Sequence, residues 1–289
     1  MKPAPFEYVR AFGVDEAVGF LNDGVDSKII AGGQSLVPLL AMRLARPERL
    51  VDINFLQDLP KLHREGDRLV VGALVRQRQL ELSDVVSSVP LLSLAIPFIG
   101  HRELRNRGTV VGSLVHADPS AELPAIAALL RATVFVVGPE GSRELNALDF
   151  MVGPFQTQLD PGEVAIAVSF PVRVDGDGYG FGEVSRRRGD FALVGAAAHV
   201  HVSEGTLDRA ETVLFGVGPT PVVVDLTPHL SGLEPSALQT VLAELSHDAS
   251  SRLEPPADQH GSAAYRRRLA KVLITRSIVQ AYQDAQRTG

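Results

Sequence analysis

Apolar positions along the chain recur with two spacings, and the places where the spacing changes outline its elements. Phe6, Tyr8 and Val9 predict a first strand, and residues 15–21 a short helix with Ala17, Val18 and Leu21 on one face. Lys28-Ile29-Ile30-Ala31 reads as a short buried strand, residues 36–44 as an apolar run broken by Pro38, and residues 49–53 as the next strand. This βαβ-like stretch has the makings of a small subdomain. Leu62 and Leu69-Val70-Val71 flank Glu65-Gly66-Asp67, a hairpin turn. Residues 75–82 and 90–99 are helix candidates, and 121–130 is a further apolar helix. Residues 133–137 and 144–148 predict a hairpin, and 163–170 a strand that ends at Pro171. Residues 179–184, 192–202 and 210–217 predict three more strands, with Gly205 in a turn. The remainder reads as helix over 235–245 and 265–285. In the second of these, Leu269, Val272, Leu273, Ile278 and Val279 fall close to helical spacing.

Asp175-Gly176-Asp177-Gly178 is the best linker candidate. It divides the chain into residues 1–175, with subdomains of about 1–57 and 58–175, and a C-terminal α+β domain over 176–289. The fold class expected is α+β.

Composition removes several classes of function. The chain has 289 residues and a net charge of −6, so it carries no overall basic footprint for nucleic acid. The local clusters Arg186-Arg187-Arg188 and Arg266-Arg267-Arg268 read as solvated faces or partner contacts. Cysteine is absent, which excludes disulfides, a cysteine nucleophile and a cysteine-held iron–sulfur cluster. Residues 1–6 hold no apolar signal-peptide core, and the apolar run 89–99 is too short for the ~20 residues that span a bilayer. A cytoplasmic location is expected.

Two glycine-bearing stretches carry the candidate chemistry. The first strand–turn–helix passes through Ile29, Ile30, Ala31, Gly32, Gly33, Gln34, Ser35 and Leu36. The second, Gly108 to Ser113, has Thr109, Val110, Val111, Gly112 and Ser113 as a small-residue turn. Asp118-Pro119-Ser120 follows as a helix-start signal, with Glu122 in the coming first turn. Converging peptide N–H groups beside a helix start favour an anion, and two such stretches point to a ligand with a pyrophosphate or several polar ends.

Other motifs are missing. There is no G-x-G-x-x-G fingerprint and no Walker A loop, so a Rossmann-type nucleotide site is not expected. Gly176, Gly178, Gly180 and Gly182 alternate by two, which suits an irregular strand or a turn. Ser35, Ser113 and Ser120 lie in no nucleophile elbow and read as hydrogen-bond donors. His199 and His201 share one strand face but lack a third ligand nearby, so no metal is expected.

At this point the residues resemble a known family. Residues 31–53 (AGGQSLVPLLAMRLARPERLVDI) and 105–124 (RNRGTVVGSLVHADPSAELP) are similar to the FAD-binding medium subunit of the molybdenum hydroxylases, the xanthine dehydrogenase and carbon monoxide dehydrogenase group. The resemblance continues through Thr157-Gln158-Leu159, Pro161-Gly162-Glu163, Phe170-Pro171, Arg188-Gly189-Asp190-Phe191-Ala192 and Tyr265-Arg266. One departure is Val111-Gly112, where the family usually has Gly-Gly. It puts the detail of that contact in question.

The resemblance implies an FAD domain of the vanillyl-alcohol-oxidase (PCMH) type in two subdomains, followed by a C-terminal domain like that of the carbon monoxide dehydrogenase flavoprotein. It implies non-covalent FAD, with electrons arriving from a [2Fe–2S] small subunit and leaving to an external acceptor. A molybdenum-cofactor large subunit would hydroxylate the substrate, so the chain is expected in a hetero-oligomer. Besides the two stretches, it places Glu122 among the flavin contacts, accepting from sugar-like hydroxyls, and Ile166 and Leu193 at the isoalloxazine border. Glu122 also reads as an ordinary first-turn acid. His116 reads either as a flavin contact or as packing on the second stretch. Two other functions stay open: a self-sufficient FAD-dependent oxidase or reductase, and a scaffold that has lost FAD, prompted by Val111. Gln34 stands where carbon monoxide enzymes are expected to carry His, which tilts the complex's substrate towards an N-heterocycle or an aldehyde.

Overall fold

The computed structural model describes residues 2–59, 61–233 and 237–288. The chain begins with β1 (Glu7–Arg10), α1 (Val14–Asn22), β2 (Ser27–Ile30), α2 (Leu36–Ala41) and β3 (Arg49–Asp52). β3 lies between β1 and β2 and runs parallel to both. Parallel neighbours need crossovers, and the two helices supply them. β3 is buried throughout, as a central strand should be. The sequence reads β2 as buried too, but it is an edge strand and only partly covered.

Next come β4 (His63–Glu65), β5 (Arg68–Gly72), α3 (Gln77–Glu81), α4 (Pro90–Ala95), α5 (Arg102–Arg105), α6 (Val110–His116) and α7 (Glu122–Leu129). After them run β6 (Thr133–Gly138), β7 (Gly141–Asn146), α8 (Ala147–Phe150), β8 (Met151–Gly153), β9 (Gln156–Thr157) and β10 (Val164–Pro171). The antiparallel sheet β4-β5-β10-β6-β7 has β10 at its centre. That position explains why the β10 run is apolar on both faces. Every residue of α7 is buried, which is why its sequence after Glu122 is apolar all round.

The third part comprises β11 (Asp177–Ser185), β12 (Ala192–Ser203), β13 (Thr206–Phe215), β14 (Val222–Asp225), α9 (Thr227–Leu230), α10 (Leu238–Ser251) and α11 (Ala263–Thr288). Its four strands pair antiparallel in sequence order. One sheet face packs on α10 and α11 through Ala196, Ala198, Val200, Ile274 and Ile278; the other joins the α7 core through Ala197, Val213 and Phe215. The alternating glycines find their cause here. A Cβ on Gly178 or Gly180 would lie 2.0 Å from the carbonyl oxygen of Ala281 or Ser277, so α11 rests directly on the strand backbone.

Several boundaries differ from the sequence reading. The linker candidate is no tether: Asp177 is buried and opens β11. The second glycine stretch is the start of α6 rather than a loop. The helix after Asp118-Pro119-Ser120 is capped at Ala121 without a side-chain bond, because the Asp118 carboxylate accepts instead from the Ser120 N–H at 2.8 Å. The 90–99 run is α4 followed by a tighter 3₁₀ turn over Ile96–Phe98. Strand β14, bounded by Pro221, was not foreseen. The expected start of the 235–245 helix falls outside the described residues.

Candidate functional site

The first glycine stretch leaves the carboxyl end of β2 and turns into α2. Gly33 sits at φ +72°, in the left-handed region that glycine occupies without strain. The main-chain N–H groups of Gly32, Gly33, Gln34, Ser35 and Leu36 have no acceptor among the described residues. Gln34 turns its side-chain amide onto the Gly32 carbonyl at 3.1 Å, and Ser35 makes no side-chain cap.

The second stretch is built differently. Thr109 caps α6, its hydroxyl oxygen accepting from the Gly112 N–H at 3.0 Å. Val111 is helical and 2 % exposed. Its branched side chain therefore fills core, and the expected conflict between a Cβ and a tight turn does not arise. A Cβ on Gly112 would sit 2.5 Å from that Thr109 oxygen, so glycine keeps the cap intact. The helix ends at Ala117, at φ +53°, and the chain turns through Asp118 into α7, bringing Glu122 back to the same place.

The two stretches touch. A Cβ on Gly32 would come within 2.3 Å of the Arg107 carbonyl oxygen and 2.9 Å of the Gly108 Cα. Beside this junction opens a cavity of about 630 Å³. The first stretch lines it with Ile29, Ile30, Ala31, Gly32, Gly33, Gln34, Ser35 and Leu36, and the second with Thr109, Val111, Gly112, Ser113, His116 and Glu122. Three candidates stand elsewhere. Val110 is fully buried in the core. Ile166 packs against that core, and its neighbours Val164 and Ala165 line the cavity instead. Leu193 is buried in β12, and Phe191, two residues earlier, reaches the cavity while 68 % exposed. Sequence reasoning passed over Phe155 and Phe191 as single residues. Phe191 lay in a quoted stretch, whereas Phe155 had no signal beyond its turn position.

Burial sets the electrostatics. Removal from water pushes the Glu122 carboxyl up to about 7, and Asp118 adds to that push. Glu183 on β11 is raised to about 8 by burial, with Glu122 adding to it, and its Oε2 has no partner among the described residues. His116 is lowered by burial, and its ring lies 5.1 Å from that of Phe155. Lys28 and Arg46 also border the cavity and bring positive charge.

The remaining candidates serve the fold. His199 and His201 both bond Asp177, at 2.8 and 3.0 Å, and no group of three ligand-type side chains could hold a metal among the described residues. Arg266 is 4 % exposed and donates to the Leu193 and Gly216 carbonyls, so of that cluster it is no surface contact. Arg186, Arg187 and Arg188 are exposed.

Open N–H groups, two glycine positions with no room for a Cβ and nearby cations fit a bound diphosphate group. Known proteins share the sequence pattern and the fold. Residues 4–173 match the FAD binding domain in molybdopterin dehydrogenase, and residues 179–281 the CO dehydrogenase flavoprotein C-terminal domain. The 6-hydroxypseudooxynicotine dehydrogenase complex subunit alpha of Paenarthrobacter nicotinovorans is 38% identical over 100% of this chain and 98% of its own. The carbon monoxide dehydrogenase medium chain of Hydrogenophaga pseudoflava is 32% identical over 98% of this chain and 99% of its own. The solved structure of quinoline 2-oxidoreductase from Pseudomonas putida 86 superposes with a TM-score of 0.92 at 36% identity, covering 99% of each chain. This chain belongs to the FAD-binding medium-subunit family of the molybdenum hydroxylases.

Proposed function

We propose that the chain holds FAD in the cavity between Gly32 and Glu122, with the diphosphate on the open N–H groups of Gly32 to Leu36. That row of unpaired donors is the observation that carries the reading. Thr109 and Ser113 add polar contacts, His116 forms part of the wall, and Glu122 meets sugar-like hydroxyls. Phe191 offers an exposed apolar face of the kind a planar ring covers. Bound FAD supplies the redox chemistry, receiving electrons from a [2Fe–2S] subunit and yielding them to an external acceptor. The protein's own share is to bind, orient and shield.

Three further readings go with this. Residues 1–175 form the FAD-binding domain and 176–289 the C-terminal domain, a division supported by the two family matches at 4–173 and 179–281. The complex works in the cytoplasm; no helix among the described residues is long and apolar enough to cross a membrane. Its large subunit takes an N-heterocycle. Support comes from higher identity to relatives named for hydroxypseudooxynicotine and quinoline, at 38% and 36%, than to the carbon monoxide enzyme at 32%.

The test is the anaerobic absorbance of the flavin band. Flavin in the lone chain, reduced with dithionite, should reoxidise with an artificial acceptor. It should stay oxidised when purines, pyridines, aldehydes or carbon monoxide are added, and bleach only once the iron–sulfur and molybdenum subunits are present. Rapid bleaching of the lone chain by any of these compounds would instead mark a self-sufficient flavoenzyme.

A further inference from the structure

Behind the cavity, a line of hydrogen bonds crosses from the first subdomain to the second. Asn54, two residues after β3, donates its amide to the Ala31 carbonyl at 2.8 Å and to the Asp52 carboxylate at 2.6 Å. The Asn54 side-chain oxygen accepts from Arg76 Nη2 at 2.5 Å, and Arg76 Nη1 donates to the Arg107 carbonyl at 2.9 Å. The Arg76 backbone is tied to the second stretch as well. The Gln77 N–H donates to the Gly108 carbonyl at 2.8 Å, and the Val110 N–H to the Val75 carbonyl at 3.2 Å.

Two features of this line bear on the ligand site. In a planar trans peptide the C=O and the N–H point opposite ways. A donor that holds the Ala31 carbonyl on one side therefore turns the Gly32 N–H to the other. The Arg107 carbonyl is the group against which Gly32 is packed, with a Cβ-to-oxygen approach of 2.3 Å. One half-buried guanidinium thus holds the Arg107 carbonyl directly and the Ala31 carbonyl through Asn54. It does so as a fork with two separate donors, which a lysine cannot reproduce. Arg76 itself does not line the cavity.

We propose that Arg76, acting through Asn54, is a positioning residue that locks the two glycine stretches in register and aims the first row of N–H groups at the cofactor's diphosphate. The proposal rests on the FAD reading above, and it assigns a role to a pair outside the cavity wall.

The experiment measures the FAD dissociation constant of the full chain by flavin fluorescence, together with the circular dichroism of the FAD-free form. The variants are Arg76→Met, Arg76→Lys, Asn54→Ala and the Arg76→Met/Asn54→Ala double. Loss of a charge-assisted bond predicts a rise in dissociation constant of roughly tenfold for each of Arg76→Met and Asn54→Ala. Because the two act in series, the double variant should lose little more than the worse single. Arg76→Lys should fall between parent and Arg76→Met, and the FAD-free chain of every variant should stay folded, with the circular dichroism of the parent. Dissociation constants within about twofold of the parent, fully additive losses, or flavin loss confined to variants whose FAD-free chain is unfolded at the assay temperature would each overturn the proposal. A parent chain that binds no FAD would sink the functional reading itself, an outcome distinct from these.

Discussion

Gly32 and Arg107, on different subdomains and far apart in sequence, are in backbone contact: a Cβ on the first would lie 2.3 Å from the carbonyl oxygen of the second. Neither atom belongs to a flexible side chain, so nothing can swing aside. Gly32→Ala should push the two stretches apart, costing about 1–3 kcal/mol as an overpacked contact does, and weaken FAD binding as well. Urea unfolding of the FAD-free chain, read beside flavin occupancy, checks both. Unchanged stability and occupancy would show that the stretches do not meet as described.

Gly33 is a different case. Its obstacle is conformation, at φ +72°, with Val37 and Ile30 side-chain atoms 3.2 and 3.4 Å from a built Cβ. Gly33→Val should therefore lose its flavin while circular dichroism still reports a folded chain, at a strain cost of about 1–3 kcal/mol. Full flavin occupancy in this variant would remove the first stretch from the site.

The contrast shows what the sequence could carry. Gly-Gly between a strand and an apolar run marked the strand–turn–helix of the first stretch, because both the turn and the N–H row are local. Gly112 was legible as a special position but not as a helical one; the Thr109 cap that makes it helical is a side-chain choice that spacing does not reveal. Gly178 and Gly180 were opaque, since their cause, the backbone of α11, lies about a hundred residues away in the chain. A shorter separation, 22 and 24 residues, hid the partners of Asp177. A turn-like Asp-Gly-Asp-Gly run gave no sign that two histidines on β12 would converge on its second aspartate.

That buried cluster yields a stability prediction. Burial favours protonated Asp177, but the bonds from His199 and His201 outweigh it and hold the carboxyl down at about 2. Tyr179 bonds the other oxygen at 3.1 Å and stacks on His199 at 4.9 Å. A depressed carboxyl adds stability above its unfolded value of 3.8, and that stability drains away as pH falls towards 2. At pH 7 Asp177→Asn should therefore lose about 3 kcal/mol, as for a broken buried pair, with the loss shrinking in acid. Denaturant titrations at two pH values decide it, and a pH-independent loss would speak against the ionised form.

Glu122 runs the other way. Its carboxyl is raised from the ordinary 4.5 to about 7 because it is buried. A raised carboxyl leaves stability intact below 4.5 and removes it progressively as pH climbs through 7. Glu122→Gln, which stays neutral, should accordingly match the parent near pH 4.5 and exceed it at pH 8 by up to about 3 kcal/mol in the FAD-free chain. Thermal midpoints across that range test the sign. A variant less stable than the parent at pH 8 would mean that the ionised carboxylate is held by a partner.

The last prediction concerns how the cofactor is held. A covalent flavin needs a nucleophilic side chain at the ring, and cysteine is absent from the chain. Tyrosine is absent from the cavity wall among the described residues, which leaves His116. Its ring packs on Phe155, 5.1 Å away, at the end of α6, and burial favours its neutral form. The mouth of the site beside Phe155 is lined by a turn whose backbone N–H is tied to the Ala117 carbonyl at 2.9 Å, so ring and turn support each other. His116 accordingly reads as a wall held by packing, and the flavin should leave the denatured chain completely. Acid-precipitated holoprotein passed through a filter should release all its yellow colour, and His116→Ala should lower FAD affinity by no more than the tenfold typical of one lost contact. Flavin retained on the parent polypeptide but released from His116→Ala would identify a histidyl bond instead.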